Sequence, residues 1–144
     1  MYKNDLSTIL DKNGNEIIHI GWLSSQCDFN KGIIDNSLFY LLWEHLRYKI
    51  NVKRGFHKCD YCNSFFNTKT PTVKYNDEVI KVGYYSIIIF DKKERIYKAP
   101  SLIFHYIKKH QYLPPVEFID ALINGVNPNS FRYCQLLNKY GFLK

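Results

Sequence analysis

Residues 84–110, YYSIIIFDKKERIYKAPSLIFHYIKKH, change period in the middle, and that change decides the fold. The first part, "YYSIIIFD" and "RIYKA" about Asp91-Lys92-Lys93, is dense in β-branched and aromatic residues and predicts two strands joined by a turn. Pro100 then suits the first turn of a helix, and "SLIFHYIKKH" runs on to His110. Upstream, "EVIKV" predicts another strand, with a turn at Gly83. A sheet thus gives way to helices near residue 100.

Working outward, Pro114-Pro115 end that helix and open the next, "VEFIDALI", closed by Gly125. Asn127-Pro128 begins a last helix, "NSFRYCQLLNKY", closed by Gly141. Toward the N-terminus, the Asn-Gly turn in "DKNGNE" and the apolar run "EIIHIGWL" predict a small strand pair. Between them, "DNSLFYLLWEHLRYKI", capped by Asp35 or Asn36, carries Leu38, Leu41, Leu42 and Leu46 on one face. Phe39, Trp43 and Ile50 cover much of its other face, as a central buried helix requires. The expected class is α+β over a single domain, residues 1–144. It has a small antiparallel sheet, a central buried helix and three C-terminal helices, with the helices on one face of the sheet.

The composition, 46% hydrophobic and 23% charged, is that of a globular chain and not a disordered one. No apolar run reaches the roughly 18 residues of a membrane span, and the start, MYKNDLSTILDKNG, lacks a signal-peptide core. A cytoplasmic, non-membrane protein is expected. In a reducing compartment the four cysteines are thiols or metal ligands. The net charge of +7 favours an acidic partner or a solvated lysine surface.

Cys59-Asp-Tyr-Cys62 has the C-x2-C spacing by which a tight turn aims two thiolates at one tetrahedral ion. His105 and His110 supply an H-x4-H pair. Five helical steps turn the second ring about 140° from the first, so both reach one metal only if the helix tightens or unwinds near His110. The expected ligands are Cys59, Cys62, His105 and His110, holding a structural Zn2+ that staples the sheet's entry loop to the first C-terminal helix. His57 is an alternative ligand, or a donor that orients a thiolate from outside the ligand set. The rival reading, a thioredoxin-like redox pair, needs a strand before the motif and a helix starting at it, and loop-like sequence flanks it instead. Cys27 and Cys134, set among apolar residues, are expected to be small buried hydrophobes, and His19 and His45 satisfied core or boundary histidines.

Three segments, "IGWL", "GFHKCDYC" and "IYKAPSLIFHYIKKHQYLPPVEFIDAL", resemble a group of small, largely uncharacterised bacterial proteins. That group shows G-W-L, G-x-H-x-C-x-x-C and Y-x-A-P-x-L-I-x-H-Y-I-x-x-H-x-Y-x-P-P-x-x-F. The resemblance touches Gly21 to about Leu122 and implies that His57, Cys59, Cys62, His105 and His110 belong to one feature. It carries no established activity. Within the matched segments, Tyr97, Tyr106 and Tyr112 bracket the cluster and could pack over it.

Three functions are open at this point. The first is a non-catalytic binding protein that recognises a protein partner, in the manner of an immunity protein or antitoxin. It follows from the want of any catalytic constellation and from the 17% aromatic content. The second is nucleic-acid binding through Arg47, Lys49, Lys53, Arg54 and Lys58, with Tyr48 and Phe56 interleaved. A second basic group, Lys92, Lys93, Arg95 and Lys98, would strengthen it only from the same side. The third is a metal-dependent hydrolase with Glu78, Glu94 or Glu117 as general base, which needs an open coordination position that four protein ligands deny.

Overall fold

The computed structural model describes residues 2–62 and 71–143. In chain order the elements are β1 (Thr8–Leu10), β2 (Glu16–His19), α1 (Ser37–Leu46), β3 (Thr72–Tyr75), β4 (Glu78–Lys81), β5 (Ser86–Phe90), β6 (Ile96–Pro100), α2 (Ile103–His110), α3 (Val116–Asn124) and α4 (Phe131–Lys139). The class is α+β, with three helices following the last strand. No helix among the described residues is long and apolar enough to cross a membrane.

The main sheet runs β1-β2-β6-β5. The Asn-Gly turn joins β1 to β2, and the 91–95 turn joins β5 to β6, as two antiparallel hairpins. They meet through β2 and β6, which run parallel with Ile17 opposite Ile96, so the sheet is mixed and not purely antiparallel. Turn chemistry dictates the two local pairings. The join spans some 80 positions and has no local signal.

A second, two-stranded sheet pairs β3 with β4 about Asn76-Asp77, both in the left-handed region (φ +47° and +67°) as a tight hairpin demands. The strand at "TVKY" was not expected, and β4 does not pair with β5. Gly83 instead leads the chain between the two sheets. It has φ +93°, and a Cβ there would stand 2.5 Å from the His57 carbonyl oxygen.

Helices cover both faces of the main sheet, not one. Ile87, Ile89, Tyr97 and Ala99 face a core shared with α1, α2 and α3 through Leu42, Phe104 and Phe118. Ile17, Ile88, Phe90 and Ile96 face Tyr133, Leu136 and Leu137 of α4. This explains why all five residues of β5 are buried, the pattern of a strand covered on both sides. Burial of those three α4 side chains, worth about 2 kcal/mol each, holds a nine-residue helix too short to persist alone.

Pro100 ends β6 and does not open α2. Opposite it, Ser86 exchanges both backbone hydrogen bonds with Ile50 (2.7 and 2.9 Å), so the missing proline N–H breaks no rung. Gly125 caps α3 as expected, though in extended backbone: a Cβ would lie 2.2 Å from the carbonyl oxygens of Ala121 and Phe90. In α1, Leu38, Leu42, Trp43, His45 and Leu46 are buried, so the helix is central as read. Asp35 braces its start by accepting from the Ser37 amide (2.9 Å). Cys27 is half-buried and Cys134 exposed, which corrects the expectation of buried thiols. Cys134 follows buried Tyr133 by one helical step of about 100°, enough to turn it to solvent.

Candidate metal centre

The cysteine turn is held from three sides. The His57 amide donates to the Gly83 carbonyl (2.6 Å), and the Phe56 ring packs edge-on against Tyr84 at 5.1 Å. The Cys62 amide points back to the Cys59 carbonyl across the turn at 3.4 Å. Between the two cysteines, Tyr61 turns inward, its hydroxyl donating to the Ser24 carbonyl. Its ring meets Phe29 at 5.2 Å, His110 at 5.5 Å and Tyr106 at 6.2 Å. Sequence reading passed over Tyr61, because C-x2-C motifs carry no signal for what the intervening side chains do.

The other half comes from α2. His105 lies inside the helix and His110 is its last residue, followed by Gln111 in the left-handed region (φ 56°, ψ 32°). The amides of Gln111 and Tyr112 both reach the Tyr106 carbonyl, five and six residues back, where a regular helix reaches four. The final turn is therefore opened by at least a residue, and side chains five apart come toward one side. The His105 and His110 rings stand 5.1 Å apart, so the departure from regular helix that H-x4-H requires is present.

The result is one group: the ligand atoms of Cys59, Cys62, His105 and His110 all lie within 4.8 Å of one another. Sγ of Cys59 is 3.3 Å from Nε2 of His110, and Sγ of Cys62 is 3.2 Å from Nε2 of His105 and 3.5 Å from that of His110. Metal–sulfur bonds of about 2.3 Å and metal–nitrogen bonds of about 2.05 Å at a tetrahedral angle put sulfur and nitrogen roughly 3.5 Å apart. The donor set fits a four-coordinate cation.

Its electrostatics suit the ligation of a cation. Burial, then His110 and Lys109, hold the His105 imidazole down to about 4, and burial with Lys109 and Lys31 lowers His110. Both rings are thus neutral, the ligating form, at neutral pH. Burial, with Cys62 adding, pushes the Cys59 thiol up to about 11. A bound cation would displace that proton.

His57 stays outside the group and lines a separate cavity. Of the bracketing tyrosines, Tyr106 packs at the site, 6.2 Å from His105. Tyr112 turns its hydroxyl to Asp5 (2.7 Å), and Tyr97 packs on Phe118. None of the three glutamates read as general bases belongs to the metal group. Glu78 is held by Arg47 at 2.8 Å, Glu94 by Arg132, Lys139 and Tyr140, and Glu117 lies in the first turn of α3 outside the metal group.

The basic stretch divides. Arg47 is neutralised by Glu44 and Glu78, and Lys49 lies over Tyr84 at 4.9 Å. Arg54 and Lys58 are exposed. In the second group Arg95 pairs with Asp91, while Lys92 and Lys93 are exposed at the hairpin. Lys53 and Lys98, one from each group, line one cavity, and Lys49 and Lys98 line another.

No curated protein and no solved structure matches the chain. A family described as a domain of unknown function, DUF7919, matches residues 1–123, which takes in both sheets and all four metal-site side chains but not α4. With that match over most of its length, the chain belongs to the DUF7919 family.

Proposed function

We propose that Cys59, Cys62, His105 and His110 hold a structural zinc ion and that the protein acts by binding a protein partner, not by catalysis. The observation that carries this reading is the donor set itself: two sulfurs and two imidazole nitrogens at tetrahedral spacing. Borderline-soft Zn2+ favours that mixture, and four protein ligands leave no position for a reacting water. The ion would tie the cysteine turn to α2, joining segments 43 positions apart.

The partner is an acidic protein, recognised in the manner of an immunity protein or antitoxin. In support, the chain carries a net charge of +7. The edge strand β1 exposes all three of its residues, Ile9 and Leu10 among them, and an exposed edge offers backbone to an added strand. Thiolate ligation of this kind belongs to a reducing compartment, which supports a cytoplasmic location.

The test is metal content by mass spectrometry on untagged protein beside Cys59→Ser. One zinc per chain, lost in the variant together with thermal stability, is expected. A well-folded wild type without metal would sink the reading.

A further inference from the structure

A cavity of about 270 Å³ opens where the N-terminal segment, the 51–57 loop, the end of β6 and the start of α2 meet. Lys3, Lys53 and Lys98 line it beside Trp22 and Tyr84, and no aspartate or glutamate does. Among the described residues, none of these three lysines takes part in a salt bridge. Asp11 is the carboxylate that acts on Lys98, and it is already engaged by the Asn13 and Asn15 amides (2.8 and 2.9 Å). Burial, then the other lysines, lowers the affinity of Lys98 and Lys3 for their protons. Buried His19, held at about 4 by burial and by Lys3 and Lys98, is neutral and offers no counter-charge.

The walls are preformed. The Lys3 ammonium lies 4.3 Å over the Trp22 ring, and the Trp22 indole N–H donates to the Lys98 carbonyl (3.1 Å). The Lys53 amide donates to the Tyr84 carbonyl (2.7 Å), and the Gly83 amide to the Ser101 hydroxyl (2.7 Å). Three lysines lining one partly enclosed space, with no carboxylate in its lining, repel one another and lose hydration. A compact anion there removes both costs. A phosphate carries about −1.5 to −2 charges and three acceptor oxygens, a better match to three lysines than a single carboxylate. The volume falls just under the roughly 300 Å³ at which ligand pockets begin, so a small molecule fits and a nucleic-acid strand does not. Trp22 and Tyr84 give the organic part an aromatic wall.

We infer that this cavity is a binding site for a small organic phosphate, with Lys3, Lys53 and Lys98 on the phosphoryl group and Trp22 and Tyr84 on the organic part. The site uses none of the metal ligands.

The test is calorimetric titration of the full chain, its metal content measured, with adenosine 5′-monophosphate, adenosine and inorganic phosphate. The monoester is expected to bind one per chain, inorganic phosphate more weakly and adenosine not at all. Lys3→Gln and Lys53→Gln, both near the surface, are each expected to weaken the monoester roughly tenfold or more, as loss of a charged hydrogen bond does. Arg54→Gln, outside the lining, should leave it unchanged. Circular dichroism would first establish that all three variants fold. Overturning results are no saturable binding of the monoester to folded protein, equal binding of adenosine, or unchanged affinity in both lysine variants. Inorganic phosphate binding as tightly as the monoester would overturn the aromatic half of the assignment. Binding confined to an oligonucleotide would overturn all of it.

Discussion

The Sγ of Cys62 lies 3.2 Å from Nε2 of His105, a contact between segments 43 positions apart that sets the cysteine turn against α2. If a cation occupies that contact, its removal should be felt as stability. A metal present at about 1,000 times its Kd adds about 4 kcal/mol. Chelation is therefore expected to lower unfolding free energy by that order while the protein still folds, because two apolar cores remain. Denaturant titration with and without chelator measures this; identical midpoints would show that nothing binds.

Metal uptake should release a proton. The Cys59 thiol, pushed to about 11, is protonated at neutral pH and ligates only as thiolate, so affinity should rise with pH up to that region. His105, held near 4, competes with protons only in acid. A pH indicator in weakly buffered solution reads the release, and Cys59→Ala should abolish its share.

His45 predicts a loss of stability in acid. It is buried, and its Nδ1 lies 3.0 Å from the Leu41 carbonyl, which can only accept, so Nδ1 carries the proton and Nε2 is left without a partner. Burial holds its folded value at about 4 against 6.5 when unfolded. A depressed histidine favours the unfolded state once protonated. Stability is thus complete above pH 6.5 and falls as pH drops toward 4, by about 3 kcal/mol from this group. His45→Leu should remove that share of the slope and cost little at pH 7; an unchanged slope would place the effect elsewhere.

Gly83→Ala tests how the cysteine turn is held. The position has φ +93°, and the new Cβ would collide with the His57 carbonyl oxygen. A cost of about 1–3 kcal/mol is expected from backbone strain, with weakened metal retention because His57 leads directly into Cys59. Wild-type metal affinity in this variant would show that the turn is anchored mainly through Tyr61.

What was legible in the sequence follows from interactions a few residues long. The Asn-Gly turn, the strand-rich 84–99 segment, the apolar α1 and the C-x2-C and H-x4-H spacings depend on backbone preference and side-chain period. The need for an irregular end to α2 could even be argued from the angle per residue, and the shared acceptor at Tyr106 meets it.

Other features had no local trace. The "TVKY" strand was lost because its hairpin turns on Asn76-Asp77, a weaker signal than Asn-Gly. Cys134 reads as apolar company in the chain, and only the angle of α4 on the sheet turns it outward. Lys53 and Lys98 belong to separate basic runs, and their meeting at one cavity with Lys3 is a product of the N-terminal segment, the 51–57 loop and strand β6 converging.

The sequence by itself determined the α+β class, the order of the helices and that Cys59, Cys62, His105 and His110, with His57 as the alternative, have metal-binding chemistry, since each depends on residue type and spacing. The tertiary structure alone decided that β2 joins β6 in parallel, that α4 covers the second face, that Tyr61 and not Tyr97 packs at the cluster, and that His57 stays outside it. Those outcomes depend on which distant surfaces exclude water together, and burial rewards contact area without regard to separation along the chain.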